Sequence, residues 1–138
     1  MKGKTIEEIR VGDAAAFSKT IGESDVYLFA GITGDLNPAH VDQPAAEQTV
    51  FEGRIAHGML SAGLISAVLG MQLPGPGTIY MSQSLRFKAP VRIGDTVTAR
   101  VEVTELIAEK NRVRLATTCT IQDGTRVLEG EALVMAPQ

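Results

Sequence analysis

The fold is decided by residues 57–73, which read HGMLSAGLISAVLGMQL and contain no charged side chain. The segment is too long for an average strand, and it is apolar or small on every side, which is typical of a helix buried all round. Gly63 and Gly70 weaken its intrinsic helicity by about 1 kcal/mol each, so burial must hold the helix. It is too short and glycine-rich for a membrane span. We therefore predict a central helix surrounded by a β-sheet.

Strand patterns follow this helix. Stretches of alternating apolar and polar residues occur within residues 79–87, 96–107, 112–121 and 126–135. Turn signals such as Asp123-Gly124 separate the runs. The last three runs predict an antiparallel meander, and with the buried helix they predict an α+β fold.

The segment before the helix has a mixed pattern. Residues 13–19 predict a short strand, and the apolar spacing in residues 23–33 predicts a helix. Gly34 and the following Asn-Pro pair are expected to end that helix. A helical turn is expected at residues 44–48.

Composition narrows the class of protein. The chain has 138 residues without a linker or repeat, so we predict one domain over residues 1–138. With 13 Lys and Arg against 16 Asp and Glu, the net charge of −3 argues against a nucleic-acid partner. The single cysteine, Cys119, excludes an intrachain disulfide. The start of the chain lacks the apolar core of a signal peptide, so we expect a cytoplasmic protein without a membrane partner.

The loop GDLNPAH, residues 34–40, is the first candidate site. Its Asn-Pro turn can bring Asp35 and His40 to face one small volume. Water addition requires an acid and a base within hydrogen-bond reach of the same water, and histidine exchanges protons readily near neutral pH. The loop is also a good turn sequence, in which Asp35 and Asn37 bond their own backbone and His40 caps the turn. Both interpretations remain open.

The start of the central helix is a second candidate site. Backbone N–H groups are unpaired at a helix N-terminus, and the helix dipole is positive there. Gly58 would let a ligand approach this backbone, which suits an anion or oxyanion. His57 beside it is equally consistent with a capping or packing residue. Small residues further along either leave room for a ligand or pack closely on the sheet: Ser61, Ala62, Gly63, Ser66 and Ala67.

Other chemistries lack support. The sequence has no Gly-x-Ser-x-Gly elbow, phosphate-binding loop or dinucleotide fingerprint. The two histidines and one cysteine do not stand at metal-ligand spacing along the chain. We therefore expect neither a cofactor nor a metal.

Three motifs of this sequence, and their order along the chain, resemble those of the MaoC-like (R)-specific enoyl-CoA hydratases. They read FAGITGDLNPAHVD from residue 29, FEGRIAHGML from residue 51 and QSLRFKAPV from residue 83. The resemblance implies a hot-dog fold, in which the sheet wraps the central helix, and a homodimer. It also implies reversible hydration of trans-2-enoyl-CoA to (R)-3-hydroxyacyl-CoA, a reaction of fatty acid metabolism that supplies polyhydroxyalkanoate synthesis.

The resemblance assigns roles to residues. The catalytic pair of the family corresponds to Asp35 and His40, which together hold the water and carry its protons. The positions expected to form the oxyanion hole or to bind substrate are Gly58, Asn37, Ser66 and His57.

Alternative functions remain on the same scaffold. A dehydratase would run the reaction in reverse, a thioesterase would use Asp35 as a base to cleave the thioester, and an acyl-CoA sensor would bind without turnover. A set of basic residues either meets CoA phosphates or forms a solvated strand face: Arg86, Lys88 and Arg92.

Overall fold

Five strands form one antiparallel sheet in the computed structural model, which describes residues 2–138. The strands are β1 Ala14–Thr20, β2 Ile79–Phe87, β3 Thr96–Ile107, β4 Arg112–Thr120 and β5 Arg126–Met135. Their order across the sheet is β1-β3-β4-β5-β2, so β1 and β2 are the edge strands. The α-helices are α1 Glu23–Thr33, α2 Pro38–Val41, α3 Gln43–Glu47 and α4 Gly58–Met71. Short 3-10 helices cover Ile6–Glu8 and Ala108–Lys110.

The sheet wraps helix α4, which contacts all five strands. The buried face of α4 includes Ile65, Val68 and Leu69, each at most 1% exposed. Burying an aliphatic side chain of this size contributes roughly 1.5–3 kcal/mol, which outweighs the helix propensity lost at the glycines. The predicted α+β fold, with a central helix and a late antiparallel meander, is confirmed.

One face of α4 is not buried, so the prediction of a helix buried all round is wrong for that face. Met59, Gly63 and Ser66 recur at helical spacing and are exposed. The sheet covers one side of α4 and leaves the other side open. An uncharged helix sequence does not reveal whether its second side faces a core or a cleft. Neither α4 nor any other helix within residues 2–138 has the length and apolar character needed to cross a membrane.

The loop between α1 and α2 also differs from expectation. Gly34 alone ends α1, with φ of 84° in the left-handed region that favours glycine. The Asn-Pro pair, expected to help end that helix, instead starts α2. The side chain of Asn37 accepts a hydrogen bond from the backbone N–H of Ala39 at 3.0 Å, and Pro38 occupies the first turn. This short helix carries His40.

Strand β2 lies close against β5 because Gly130 has no side chain. A Cβ atom at Gly130 would lie 1.8 Å from the carbonyl oxygen of Ser84 on β2. The glycine thus lets the edge strand pair with the sheet from Ile79 to Phe87, apart from a register shift between Tyr80 and Ser82. Strand β2 is exposed along most of that length, and this edge borders the candidate site.

Candidate active site

A cleft of about 1160 Å³ runs along the open face of α4, with β2 as one wall and the segment from α1 to α4 above it. Most of the lining is apolar. Five residues predicted for the site line the cleft: Asp35, His40, His57, Gly58 and Ser66. Asn37 is not among the lining residues, and its side chain caps α2 instead. Ser66 lies eight positions after Gly58 on the helix, so this wall extends for roughly 12 Å.

His40 is held in one orientation by the backbone. Its Nδ1 lies 2.7 Å from the carbonyl oxygen of Ile55. A carbonyl only accepts, so Nδ1 carries the proton and Nε2 of the neutral ring keeps a free lone pair. The backbone N–H of Ile55 in turn donates to the carbonyl of Ala39 at 3.1 Å. The ring is 9% exposed, which suits a base that works inside a cleft.

Asp35 lies in a turn that its own side chain stabilises. Its Oδ1 accepts a hydrogen bond from the backbone N–H of Asn37 at 3.2 Å, and its own N–H donates to the hydroxyl of Thr33 at 3.1 Å. The turn interpretation of this loop is therefore correct for Asp35 and Asn37. It is wrong for His40, whose ring bonds to the distant Ile55 and does not cap the turn.

His57 packs directly against this pair. Its Nε2 lies 2.9 Å from the backbone carbonyl oxygen of Asp35. Its ring stacks on that of His40, with centroids 3.9 Å apart and an interplanar angle of 28°. Phe29 covers it at 4.8 Å. Among residues 2–138, the buried side-chain polar atoms without a hydrogen-bond partner are Nδ1 of His57 and Oγ of Ser61.

The fold brings together three potential metal ligands that lie far apart in sequence. One ligand atom from each of Asp35, His40 and His57 lies within 4.8 Å of the other two. The spacing of these residues along the chain does not predict the cluster, because the fold brings them together. The same cluster provides acid-base groups around one small volume. The expectation of a metal-free site stays a prediction.

Gly58 opens α4 at the edge of the cleft. A Cβ atom there would lie 2.6 Å from Cε1 of Phe87, so the Phe87 ring rests directly on the glycine. The unpaired N–H groups of the first helical turn are located at this point. Both sequence interpretations of Gly58, ligand approach and close packing, are compatible with this geometry.

A polar cluster on β2 escaped the sequence analysis. The amide of Gln83 donates to the hydroxyl of Thr117 at 2.9 Å and to the carbonyl of Ser84 at 2.8 Å. Its oxygen accepts a hydrogen bond from the hydroxyl of Tyr80. Burial raises the pKa of Tyr80. Tyr80 and Gln83 both line the cleft, and residue 83 begins one of the quoted motifs.

Arg54 clamps the helical segment above the cleft. Its guanidinium donates to Glu23 at 2.6 Å, to Tyr27 at 2.9 Å and to Gln43 at 3.0 Å. The hydrogen bond from Arg54 lowers the pKa of Glu23, and the same bond raises the pKa of Arg54. These contacts tie α1 and α3 to the stretch of chain that carries Ile55 and leads into α4. Sequence reasoning missed them because no local pattern marks a partner 31 residues away.

The three basic residues have different surroundings. Lys88 lines the cleft and lies 3.8 Å from Glu129. Arg92 donates to the carbonyl of Phe51 at 2.5 Å, so it has a structural contact. Arg86 is exposed and does not line the cleft. Of the three, Lys88 is the one that lines the cleft.

Comparison with known proteins gives consistent matches. Residues 8–124 match the family described as MaoC like domain. The chain is 64% identical to the (R)-specific enoyl-CoA hydratase of Rhodospirillum rubrum, over 95% of this chain and 90% of that protein. It is 56% identical to the 3-hydroxybutyryl-CoA dehydratase of Methylorubrum extorquens, over 96% and 83%. The solved (R)-hydratase from A. caviae, described as involved in PHA biosynthesis, superposes with a TM-score of 0.92 at 47% identity, over 95% and 99%.

Proposed function

Because this chain belongs to the MaoC-like domain family, we propose that it adds water reversibly across the double bond of a trans-2-enoyl-CoA to give (R)-3-hydroxyacyl-CoA. The observation that carries the proposal is the meeting of Asp35 and His40 in an apolar cleft beside the start of α4. The (R) stereochemistry and the CoA carrier come from the names of the relatives. The hot-dog fold expected for such an enzyme matches the solved relative.

In the proposed mechanism, His40 Nε2 and the Asp35 carboxylate hold one water molecule. His40 takes a proton from this water as its oxygen bonds to the β-carbon. The π electrons move toward the thioester oxygen, where backbone N–H groups at Gly58 stabilise the negative charge. The proton then passes to the α-carbon, so one water is added and nothing else is consumed. The Asp35 carboxylate accepts a hydrogen bond from the second O–H of the water and so orients the water.

The acyl chain is proposed to follow the open face of α4. Ala62, Gly63 and Ser66 form this wall, and Leu85 faces it from β2. The small helix residues leave room for an apolar chain, and Ser66 lies near the far end of the wall. Lys88 at the cleft is proposed to meet the CoA phosphates.

The dehydration direction is a second candidate. The relative from Methylorubrum extorquens is named a 3-hydroxybutyryl-CoA dehydratase. The chemistry is the same sequence of steps in reverse, because acid and base exchange roles. Cellular concentrations of substrate and product would then decide the direction.

We also propose a cytoplasmic homodimer that contributes to fatty acid and polyhydroxyalkanoate metabolism. The involvement of the A. caviae (R)-hydratase in PHA biosynthesis supports the pathway. The exposed apolar side chains of β2 support the dimer, with Ile79 55% and Met81 44% exposed on an edge strand. Exposed apolar edge strands tend to pair with another chain.

The proposal is tested with crotonyl-CoA, by following the loss of the conjugated enoyl absorbance. A thiol reagent in a parallel cuvette detects cleavage of the thioester. Cys119 does not interfere, because burial raises the pKa of its thiol to about 12 and only the thiolate reacts. Absorbance loss without thiol release is the expected result for the wild type.

Amino-acid substitutions test whether Asp35 and His40 carry out the reaction. Asp35→Asn and His40→Gln are each expected to lower kcat by on the order of 10²–10⁴-fold. Asp42→Asn is the matched control, because Asp42 lies outside the cleft and asparagine also caps a helix. Thiol release would identify a thioesterase. Binding of crotonyl-CoA without either signal would favour an acyl-CoA sensor.

A further inference from the structure

His57 is a buried histidine that the proposed mechanism does not use. The ring is 2% exposed and touches both members of the catalytic pair. It donates toward the backbone of Asp35 and stacks on His40. A histidine used merely to start a helix would cap it, yet the His57 side chain makes no capping hydrogen bond to α4.

The location of the proton on the His57 ring argues against a role in which His57 donates a hydrogen bond to the oxyanion or to the substrate. The carbonyl of Asp35 only accepts, so Nε2 of His57 carries the proton of the neutral ring. Nδ1 is then a bare acceptor, and it would repel a thioester oxygen that gains negative charge. A doubly protonated ring would bury a charge with an unpaired N–H against a second imidazole, at a high desolvation cost.

We infer that His57 is a positioning residue, which fixes the backbone of Asp35 relative to the ring of His40. This inference rests on the proposed function of the same site. The hydrogen bond from Nε2–H of His57 fixes the position of the Asp35 backbone. The stacked ring of His57 covers one face of His40. The two catalytic groups lie on different elements, α2 and the loop before it, and His57 at the start of α4 contacts both.

The position of Asp35 depends on this contact because its loop is otherwise held locally. The other hydrogen bonds of Asp35 go to Thr33 and Asn37, two residues away on either side. Such local bonds shape the turn but do not tie it to the cleft. The bond to His57 spans 22 residues and anchors the turn to the buried start of α4. Small displacements of catalytic groups are costly, since about 1 Å can lower a rate on the order of 10²-fold.

Two substitutions separate the hydrogen bond from the ring. His57→Phe keeps an aromatic ring against His40 but removes the donor. His57→Gln loses the ring but keeps an amide N–H that can reach the Asp35 carbonyl. We expect kcat on crotonyl-CoA to fall on the order of 10²-fold in the phenylalanine variant, with KM changed by less than about threefold. The glutamine variant should recover about tenfold or more of that loss.

A control variant separates the effect of lost packing on stability from an effect on kcat. Val113→Ala removes buried volume from β4, outside the cleft, and should lower Tm without lowering kcat. A His57 variant that raises KM with kcat unchanged would assign the residue to substrate binding and overturn the inference. Equal kcat in wild type and His57→Phe would also overturn it. If the phenylalanine variant does not fold, the tautomer of His57 in the wild type decides, because an Nδ1–H ring could not donate to the Asp35 carbonyl.

A spectroscopic measurement does not depend on activity. The chain has two histidines, so long-range proton–nitrogen NMR spectra of wild type and His57→Gln assign both rings by difference. We expect the Nε2–H tautomer for His57 and the Nδ1–H tautomer for His40. An Nδ1–H or doubly protonated His57 would overturn the inference. Inactivity of the wild type on enoyl-CoA with these tautomers present would overturn the proposed function alone.

Discussion

Individual atoms at the start of α4 set the geometry of the cleft. Gly58 lies under the ring of Phe87, and that ring is itself 53% exposed. An exposed ring can move, so packing by itself does not require glycine at this position. The other reason for a glycine is the approach of a ligand to the backbone N–H groups.

We predict that Gly58→Ala lowers kcat/KM on crotonyl-CoA by about tenfold or more, because its methyl group would occupy the ligand's path to the backbone. The double variant Gly58→Ala with Phe87→Ala tests the reason by a double-mutant cycle of kcat/KM values. If the ligand path matters, the methyl remains harmful when Phe87 is absent. A double variant as active as Phe87→Ala would instead show that the glycine serves only to accommodate the ring.

At the scale of elements, two sets of contacts hold the walls of the cleft. Arg54 joins α1 and α3 to the chain before α4, and so supports the wall that carries Asp35 and His40. On the other side, β2 is held to β5 by backbone pairing at Gly130. Both contacts link segments that are distant in sequence, and both hold residues that line the cleft.

Gly130→Ala is predicted to lower the free energy of unfolding by about 1–3 kcal/mol or more, because the new Cβ would overlap the carbonyl of Ser84 and push β2 outward. Urea denaturation followed by circular dichroism measures the change. Gly31→Ala is the matched control. Within residues 2–138, apart from its chain neighbours and the backbone of its own helix, no atom lies within 4 Å of the added Cβ. Alanine in a helix is worth up to about 1 kcal/mol relative to glycine, so this variant should be slightly more stable. A loss at Gly31 equal to that at Gly130 would contradict the steric explanation.

At the scale of the whole molecule, the sheet formed within residues 2–138 has two edge strands, β1 and β2, which differ in character. Strand β2 exposes Ile79, Met81 and Phe87, and the neighbouring helix face exposes Met59. Strand β1 at the other edge exposes one large apolar side chain, Phe17 at 39%. The greater apolar exposure lies along β2, which is therefore the proposed edge of the dimer.

Met81→Lys is predicted to shift the protein from dimer to monomer, because a charge on an apolar pairing edge is costly to bury. Light scattering coupled to size-exclusion chromatography gives the mass. Phe17→Lys makes the same kind of change on β1 and should leave the dimer intact. Dissociation by Phe17→Lys with an intact Met81→Lys dimer would place the interface on β1. A monomeric wild type would end the dimer proposal.

The amino-acid sequence by itself determined the elements and the candidate chemistry. Alternation marked β2, β3 and β5 with the bounds observed, and apolar spacing marked α1. Asp35 and His40 were found because a carboxylate and an imidazole stand close together around a turn. Periodicity and short spacing are local signals, and they can be read without knowing the fold.

Only the tertiary structure decided how those groups are held. The acceptor for His40 is a backbone carbonyl 15 residues away, and that for His57 is 22 residues away. Every residue has such a carbonyl, so no residue type indicates which one accepts. The open face of α4 was undetectable for a related reason, because small uncharged residues suit both a core and a cleft. Sheet wrapping, rather than residue type, determined which face remained open.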